Sequence, residues 1–153
     1  IEPGLESKVP VSGSDILPTL KDLAGKSNFK LNEIDGGSFK PILFDPTKEN
    51  VKRDVDAIFF HVPYKNGIAL KRPHSAVRKG DFKLVKFQDN GELFLYNITT
   101  DKEESENLAI KNPKKAKELE ILLMNYLKQV HAPKWEEGIT WKKLPLSQIN
   151  SSY

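Results

Sequence analysis

The clearest alternation of apolar and polar residues in this chain lies between positions 75 and 97. Two runs within it, 82–87 and 93–96, are rich in the β-branched and aromatic residues that strands prefer. The runs are bounded by residues 79–81 (Lys-Gly-Asp) and 89–91 (Asp-Asn-Gly), which supply the positive φ that tight hairpin turns need. The pattern predicts an antiparallel meander of three strands, with a type I′ turn at 89–91.

Two further apolar patterns extend this meander. Residues 56–62 form a near-continuous apolar run after Asp56, which is typical of a strand buried on both faces. Asn112 and Pro113 begin the best helical pattern of the chain, with proline at the first helical position. Its apolar stripe, which we expect to cover one face of the sheet, consists of Ala116, Leu119, Leu123, Tyr126, Leu127 and Val130.

A short amphipathic pattern near the start of the chain predicts a second helix. Its apolar members are Ile16, Leu17, Leu20, Leu23 and Ala24. Either Ser12 with Asp15, as a capping box, or Ser14 alone can cap its beginning, and Gly25 suits a left-handed C-terminal cap. Pro18 favours the later start, because proline is best tolerated in the first turn.

The remaining segments lack periodicity. Residues 26–54 mix asparagine, glycine, proline and charges around one apolar patch, 39–44, and we interpret them as an irregular arm. The tail from residue 132 contains Trp135 and Trp141, which are costly to expose, so we expect it to lie along the body. The predicted fold is α+β: a four-stranded antiparallel sheet with a long C-terminal helix packed on one face, preceded by an arm carrying a short helix.

Composition excludes several classes of function. The net charge of +3 over 153 residues is too small to suggest nucleic-acid binding. Without cysteine there is no disulfide, no thiolate metal site and no cysteine nucleophile. No apolar run approaches the roughly 20 residues that span a bilayer, and the first residues lack the order of a signal peptide. The chain begins with Ile1 and not methionine, which suggests a fragment.

Positive charge is concentrated in one region. Between Tyr64 and Phe87 seven lysines and arginines accompany one acid, Asp81. Arginine is the best suited of these to bidentate contacts with an oxyanion. The candidate substrate contacts are His61, Tyr64, Lys65, Lys71, Arg72 and His74.

Ordinary structural roles stand beside this interpretation. The loop could be a solvated basic surface, and His61 could be a packed neutral imidazole. Lys83 and Lys86 alternate with apolar neighbours and are predicted to face solvent. His131 follows the long helix, where a cation is favoured by the helix dipole, and is predicted to cap it.

Six segments in a fixed order resemble the C-terminal third of the type I, formylglycine-dependent sulfatases of the alkaline phosphatase superfamily. The likeness runs from about residue 9 to about residue 131. No single segment is specific, but the order and the gaps between them make coincidence improbable. The segments are 9–25, 35–43, 60–63, 75–84, 95–97 and 106–109.

The resemblance implies a domain organisation and partners. Residues 1–54 would be the last segment of the sulfatase large domain, 55–131 the small C-terminal domain, and 132–153 a tail. The chain's partner would be its own upstream catalytic domain, and the substrate of the parent a sulfated small molecule or glycan. Calcium and formylglycine are implied for the full-length enzyme, which the family suggests is periplasmic or secreted.

The resemblance also implies what this chain lacks. Formylglycine is made from the first residue of Cys/Ser-x-Pro-x-Arg, and no proline here follows Cys or Ser by two positions. We therefore predict no catalytic residue, no metal ligand and no cofactor in this chain. Asp89 and Asn90 imitate the family's metal-binding Asp-Asn pair, but a turn explains them better.

Two other function classes remain open from the residues. One is a free-standing α+β module that binds acidic or sulfated glycans without an enzyme partner, and the other is a purely structural domain. Strands 56–62 and 93–98 are apolar on both faces while one helix can cover only one face. We therefore expect either self-association or an arm that folds back on the sheet.

Overall fold

The computed structural model describes residues 1, 3–25, 34–45, 47–65 and 72–135. The chain divides into two compact units, Ile1–Asp56 and Ala57–Tyr153. Within the described ranges, no helix is both long enough and apolar enough to cross a membrane. The elements are a 3₁₀ turn (Gly13–Asp15), α1 (Ile16–Leu23), α2 (Lys40–Phe44), β1 (Ile58–Val62), β2 (His74–Lys79), β3 (Phe82–Phe87), β4 (Leu93–Asn97) and α3 (Pro113–Gln129).

The second unit is the predicted sheet and helix. Its strands lie in the order β1-β2-β3-β4, and every neighbouring pair is antiparallel. The predicted α+β class and the meander are therefore confirmed. The register aligns Phe59, Val77, Leu84 and Leu95 in one row across the sheet.

This row packs against α3 and forms the centre of the unit. Its members Val77, Leu84 and Leu95 have no solvent exposure. From the helix, Leu119, Leu123 and Leu127 are equally buried, and the Phe59 ring stacks on Tyr126 with 3.7 Å between ring centroids. The predicted stripe is confirmed except for Val130, which follows the helix and is 44% exposed.

Both ends of α3 are held by local hydrogen bonds. The Asn112 side chain accepts from the Lys115 N–H at the start. At the end, the N–H of His131 donates to Lys128 O, and the N–H of Ala132 donates to Leu127 O. This is a Schellman arrangement, in which His131 takes the position with positive φ (50°) that glycine usually occupies. The capping by His131 thus uses its backbone.

The turns lie where the sequence places them. Between β2 and β3 only Gly80, with φ 55°, is left-handed, the φ pattern of a type II′ turn. Between β3 and β4 the type I′ prediction is wrong, because Gly91 is left-handed (φ 73°) and Asn90 is not. The N–H of Gly91 donates to Phe87 O, which closes a longer four-residue loop. The Asn90 side chain stabilises that loop by accepting from the Glu92 N–H.

The two edges of the sheet differ from expectation. β1 starts at Ile58 and is an edge strand of the described sheet. The prediction that it is buried on both faces is wrong, because Phe60 is 50% exposed. The outer edge of β4 is covered by Asn107, whose side-chain oxygen accepts from Leu95 N–H and whose amide donates to Leu93 O. These bonds satisfy backbone groups that an edge strand leaves open.

The prediction that Lys83 and Lys86 face solvent is wrong. Lys83 is paired with Glu104 at 2.6 Å and Lys86 with Glu120 of α3 at 2.5 Å, and all four side chains are partly buried. Residues 83 and 86 lie on opposite faces of the sheet because strand side chains alternate. Each lysine therefore finds a carboxylate from a segment packed on its own face, which strand periodicity alone does not show.

Of the two caps that the sequence allows at the start of the first helix, the structure has the capping box. Ser12 and Asp15 form it at the 3₁₀ turn, and α1 follows one residue later. Gly25, with φ 67°, ends the helix as expected. The irregular arm expected over residues 26–54 contains the short helix α2, with Pro41 in its first turn. A helix of five residues is too short for its apolar positions to show helical periodicity.

Asp15 is the buried centre of the first unit. Its two carboxylate oxygens accept from Arg53 Nε (2.9 Å) and Nη2 (2.6 Å), and from the N–H groups of Ser12 and Gly37. Burial opposes ionisation of Asp15, but these hydrogen bonds outweigh it and the pKa is lowered. The chain passes so close that a Cβ on Gly36 would lie 2.0 Å from Ser14 O.

Leu123→Asp should destabilise the second unit by about 4 kcal/mol or more, because it removes a buried side chain and places a carboxylate among apolar neighbours. Ile121→Asp, on the exposed side of the same helix, is the matched control and should cost no more than about 1 kcal/mol. Urea unfolding measures both. Equal midpoints for Leu123→Asp and the parent would show that this stripe is not the core.

Candidate functional site

The candidate substrate contacts cluster where β1 ends and β2 begins. The register pairs His61 with Ser75 and Val62 with His74. His61 Nε2 lies 2.8 Å from Pro133 O, and Nδ1 lies 2.9 Å from Ser75 Oγ. A carbonyl oxygen only accepts, so Nε2 carries a proton, and in the neutral imidazole Nδ1 accepts from the Ser75 hydroxyl. Both ring nitrogens thus have partners.

Gln88 completes this network. Its Nε2 donates to Ser75 Oγ over 2.8 Å, and its Oε1 accepts from the Trp135 N–H over 3.1 Å. Together with the bond from His61 to Pro133, these contacts attach the segment 133–135 to the sheet. The sequence did not point to Ser75, Gln88 or Pro133. The one available signal was Trp135, whose cost of exposure predicted a docked tail.

The surroundings of His61 lower its pKa. Burial is the largest cause, because it disfavours the charged imidazolium. The positive charge that His74 can carry acts in the same direction, whereas the hydrogen bond to Pro133 O partly opposes both. Protonation would also place a hydrogen on Nδ1, where the Ser75 hydroxyl now donates. His61 is therefore a group whose protonation works against the docked segment.

Arg72 is held by two acids and an aromatic ring. Its Nε and Nη2 donate to the two carboxylate oxygens of Asp89 over 2.9 and 2.8 Å, and Nη1 donates to Glu92 over 3.1 Å. The guanidinium lies 4.0 Å from the centroid of Phe87. The hydrogen bond from Asp89 raises the pKa of Arg72, and the pKa of Asp89 is lowered in return. Asp89 is thus an ion-pair partner within the loop.

His74 is hydrogen-bonded to the backbone of Arg72. It is buried, and its Nδ1 donates to the carbonyl oxygen of Arg72 over 2.8 Å. Its ring is tilted against Phe87 with 6.2 Å between centroids. These contacts fix the residue that follows the loop between β1 and β2, so His74 anchors one end of that loop.

Two of the remaining candidates, Tyr64 and Lys65, directly follow β1 and Pro63. Lys65 is exposed, and its ammonium lies 5.7 Å from the centroid of the Trp135 ring, a cation–π distance. Tyr64 is half-buried. Lys71 lies outside the described residues. The structure therefore brings His61, His74 and Arg72 to one end of the sheet, and a role in binding substrate stays a prediction for all six.

Comparison with known families decides the family of this chain. The family described as N-sulphoglucosamine sulphohydrolase, C-terminal, matches residues 1–135. The chain belongs to this family. The resemblance inferred from six short segments is confirmed, and the chain is a sulfatase C-terminal domain.

Solved structures agree. One, BT4656, was determined with its substrate, D-glucosamine-2-N,6-O-disulfate; it is 29% identical, the match covers 82% of this chain and 25% of that one, and the TM-score is 0.61. Another, BT1596, is described as a 2-O GAG sulfatase, with 26% identity, coverage of 85% and 26%, and a TM-score of 0.62. The chain thus spans about a quarter of these relatives' length. A search of curated proteins found no match.

Calcium and formylglycine are the two groups that the family implies. The described residues contain no group of three or more His, Cys, Asp or Glu side chains that could hold a metal ion. Asp89 is committed to Arg72, and the sequence has no Cys/Ser-x-Pro-x-Arg from which formylglycine could be made. Among the residues that the structure describes, no set fits a calcium ion.

The lowered pKa of His61 predicts a pH-dependent attachment of residues 133–135. Its pKa is depressed in the fold, so the stability it contributes is complete above its ordinary value of 6.5 and is lost as pH falls through the folded value. As pH falls over that range, the protection factor of the Trp135 amide, which corrects for intrinsic exchange at each pH, should decrease. His61→Gln should remove the pH dependence, whereas His131→Asn should leave it. A titration midpoint for His61 above 6.5 would contradict this account.

Proposed function

We propose that this chain is the C-terminal part of a sulfuric ester hydrolase whose catalytic domain precedes it. The observation that carries the proposal is the family match over residues 1–135, which covers the whole first unit and the second unit up to residue 135. A free-standing binding module would need only the second unit. The first unit supports a larger enzyme, because its sequence continues the family match without a break.

Residues 1–54 are, in this proposal, the last segment of the large domain. The apolar side chains of α1 support this assignment, because Ile16, Leu17 and Leu20 are each more than half exposed. An amphipathic helix gains its stability from an apolar partner. The catalytic domain would supply that partner. Residues 55–131 then form the small domain, and 132–153 its tail.

The proposed substrate of the whole enzyme is a sulfated glycan of the glycosaminoglycan type. Two relatives support this class by their descriptions, one with a sulfated glucosamine as substrate and one as a GAG sulfatase. Calcium and formylglycine would both come from the upstream domain. This chain would contribute no group to the bond-breaking step, since it lacks the nucleophile motif.

The contribution of this chain would be the lip of the substrate cleft, which we define as residues 61–74. Lys65 is exposed and could reach a sulfate group directly. Tyr64 and Lys71 are candidates for the same role. Arg72, 34% exposed in its side chain, has its donors engaged by Asp89 and Glu92, so it would orient the loop and present only its outer surface. His61 and His74 would position the two ends of the lip.

The chain by itself should neither hydrolyse sulfate esters nor remain monomeric. A chromogenic aryl sulfate measures the first property, and sedimentation equilibrium the second, since the exposed α1 face favours association.

The coding region upstream should encode about 300 residues or more, the size of a large domain, including Cys/Ser-x-Pro-x-Arg. An upstream region without that sequence, with tight glycan binding by the chain alone, would instead favour the binding module.

Substitutions in the lip should separate large substrates from small ones. In the longer enzyme, Lys65→Ala and Arg72→Ala should lower kcat/KM about tenfold or more on a sulfated oligosaccharide but little on an aryl sulfate, because remote contacts position only the large substrate. Lys117→Ala, on the exposed side of α3, is the matched control. An equal loss of kcat/KM on both substrates, or no loss on either, would show that the lip is an ordinary basic loop with no role in binding substrate.

A further inference from the structure

The face of the sheet that is turned away from α3 carries a separate depression. It has a volume of about 320 Å³ and opens to solvent. The strand register places Ile58, Arg78, Lys83 and Tyr96 in one row across this face. The residues that line the depression are Phe60, Arg78, Lys83, Ile98, Lys102 and Glu104. None of them belongs to the lip.

Arg78 is the unusual member of this set. Its Nε is buried and has no hydrogen-bond partner among the described residues. The Arg78 guanidinium forms no salt bridge with any described residue. By contrast, Arg53 and Arg72 each pair bidentately with a carboxylate. A buried donor without a partner costs free energy that folded proteins rarely leave uncompensated. Among the described residues, Arg78 has no carboxylate partner for its positive charge.

The neighbours of Arg78 increase this imbalance. Lys83 lies directly opposite Arg78 in the register, and like charges at such positions destabilise a sheet. Glu104 compensates Lys83 at 2.6 Å, from a backbone with a positive φ of 55°. Lys102 is exposed at the rim. Three cations thus face one carboxylate, and that carboxylate is already engaged.

We propose that this depression is an oxyanion-binding site, which takes a carboxylate or sulfate group. The terminal part of the Arg78 guanidinium, which lines the depression, donates to the oxyanion, and Lys102 adds positive charge. The apolar walls of Phe60, 50% exposed, and Ile98 contact the carbon skeleton attached to the anion. An anion at this place also relieves the repulsion between Arg78 and Lys83.

This inference does not depend on the proposed enzyme activity, because the chain alone carries every residue of the site. The oxyanion has two possible sources. One is a free anion, such as a sulfate group of a small ligand, and the other is an acidic side chain of a protein segment packed on this face. Both sources present an oxyanion to Arg78. The experiment therefore has two arms: the first tests whether the depression binds an oxyanion, and the second identifies the source of that oxyanion.

The first arm is an NMR titration of the isotopically labelled chain with sodium sulfate and, separately, sodium acetate. Sodium chloride at equal ionic strength is the reference. The amides of Arg78, Lys83 and Lys102 should shift and saturate with sulfate or acetate but not with chloride. Arg78→Gln should weaken binding about tenfold or more, the usual effect of losing a hydrogen bond to a charged group.

Matched variants keep this arm decisive. Lys117→Gln removes a charge from the far side of α3 and should leave affinity within about twofold. If Arg78→Gln does not fold, Lys102→Gln, at the exposed rim, should still weaken binding severalfold. Absence of saturable shifts at these amides, or unchanged binding by Lys102→Gln and a folded Arg78→Gln, would overturn the proposal.

The second arm identifies the source of the oxyanion. Phenylglyoxal modifies accessible arginine side chains, and peptide mass spectrometry reports its extent at Arg78. In the chain alone, added sulfate should protect Arg78. In a longer protein that carries an upstream domain, protection without added anion identifies an acidic side chain, whereas protection only with sulfate identifies a free ligand. Modification that sulfate does not slow in the chain alone would contradict an oxyanion site.

Discussion

The contact between α3 and the central row of the sheet is the interaction on which the second unit depends. Antiparallel strands bring residues from four segments into register, and the row they form has no solvent exposure where α3 covers it. Apolar burial of this kind is the largest favourable term in folding a small domain. Packing against α3 fixes which face of each strand points inward. Polar side chains must then find hydrogen-bond partners at the edges of the sheet, at the ends of its strands or on its opposite face.

The polar contacts around the sheet follow from that constraint. Residues 133–135 follow the end of α3 and are attached to the sheet by hydrogen bonds. The Trp135 N–H donates to Gln88, Gln88 donates to Ser75, and His61 donates to the carbonyl oxygen of Pro133. At the side of the helix, Lys86 reaches Glu120. These groups are partly buried and therefore need partners. Their roles in the fold explain most of the polar side chains near the lip without reference to substrate.

Compensation of charge distinguishes the two basic regions for which we propose contacts with anions. At the lip, Arg72 has two carboxylates and an aromatic ring, so its charge is largely used within the chain. On the opposite face, Arg78 has no such partner among the described residues. This difference in compensation is the basis of our proposal that Arg78 contacts a group outside the chain. In a domain that spans about a quarter of its relatives' length, such contacts are expected.

The sequence by itself determined the strands, the long helix, the positions of both hairpin turns and the family, because these depend on local periodicity, turn chemistry and the order of segments. It did not determine the turn type at Gly91, the short helix α2 or the partners of Lys83 and Lys86. Nor did it show that Arg72 is neutralised while Arg78 is not. Those outcomes depend on which side chains the register brings opposite one another, and long-range pairing leaves no trace in a single sequence.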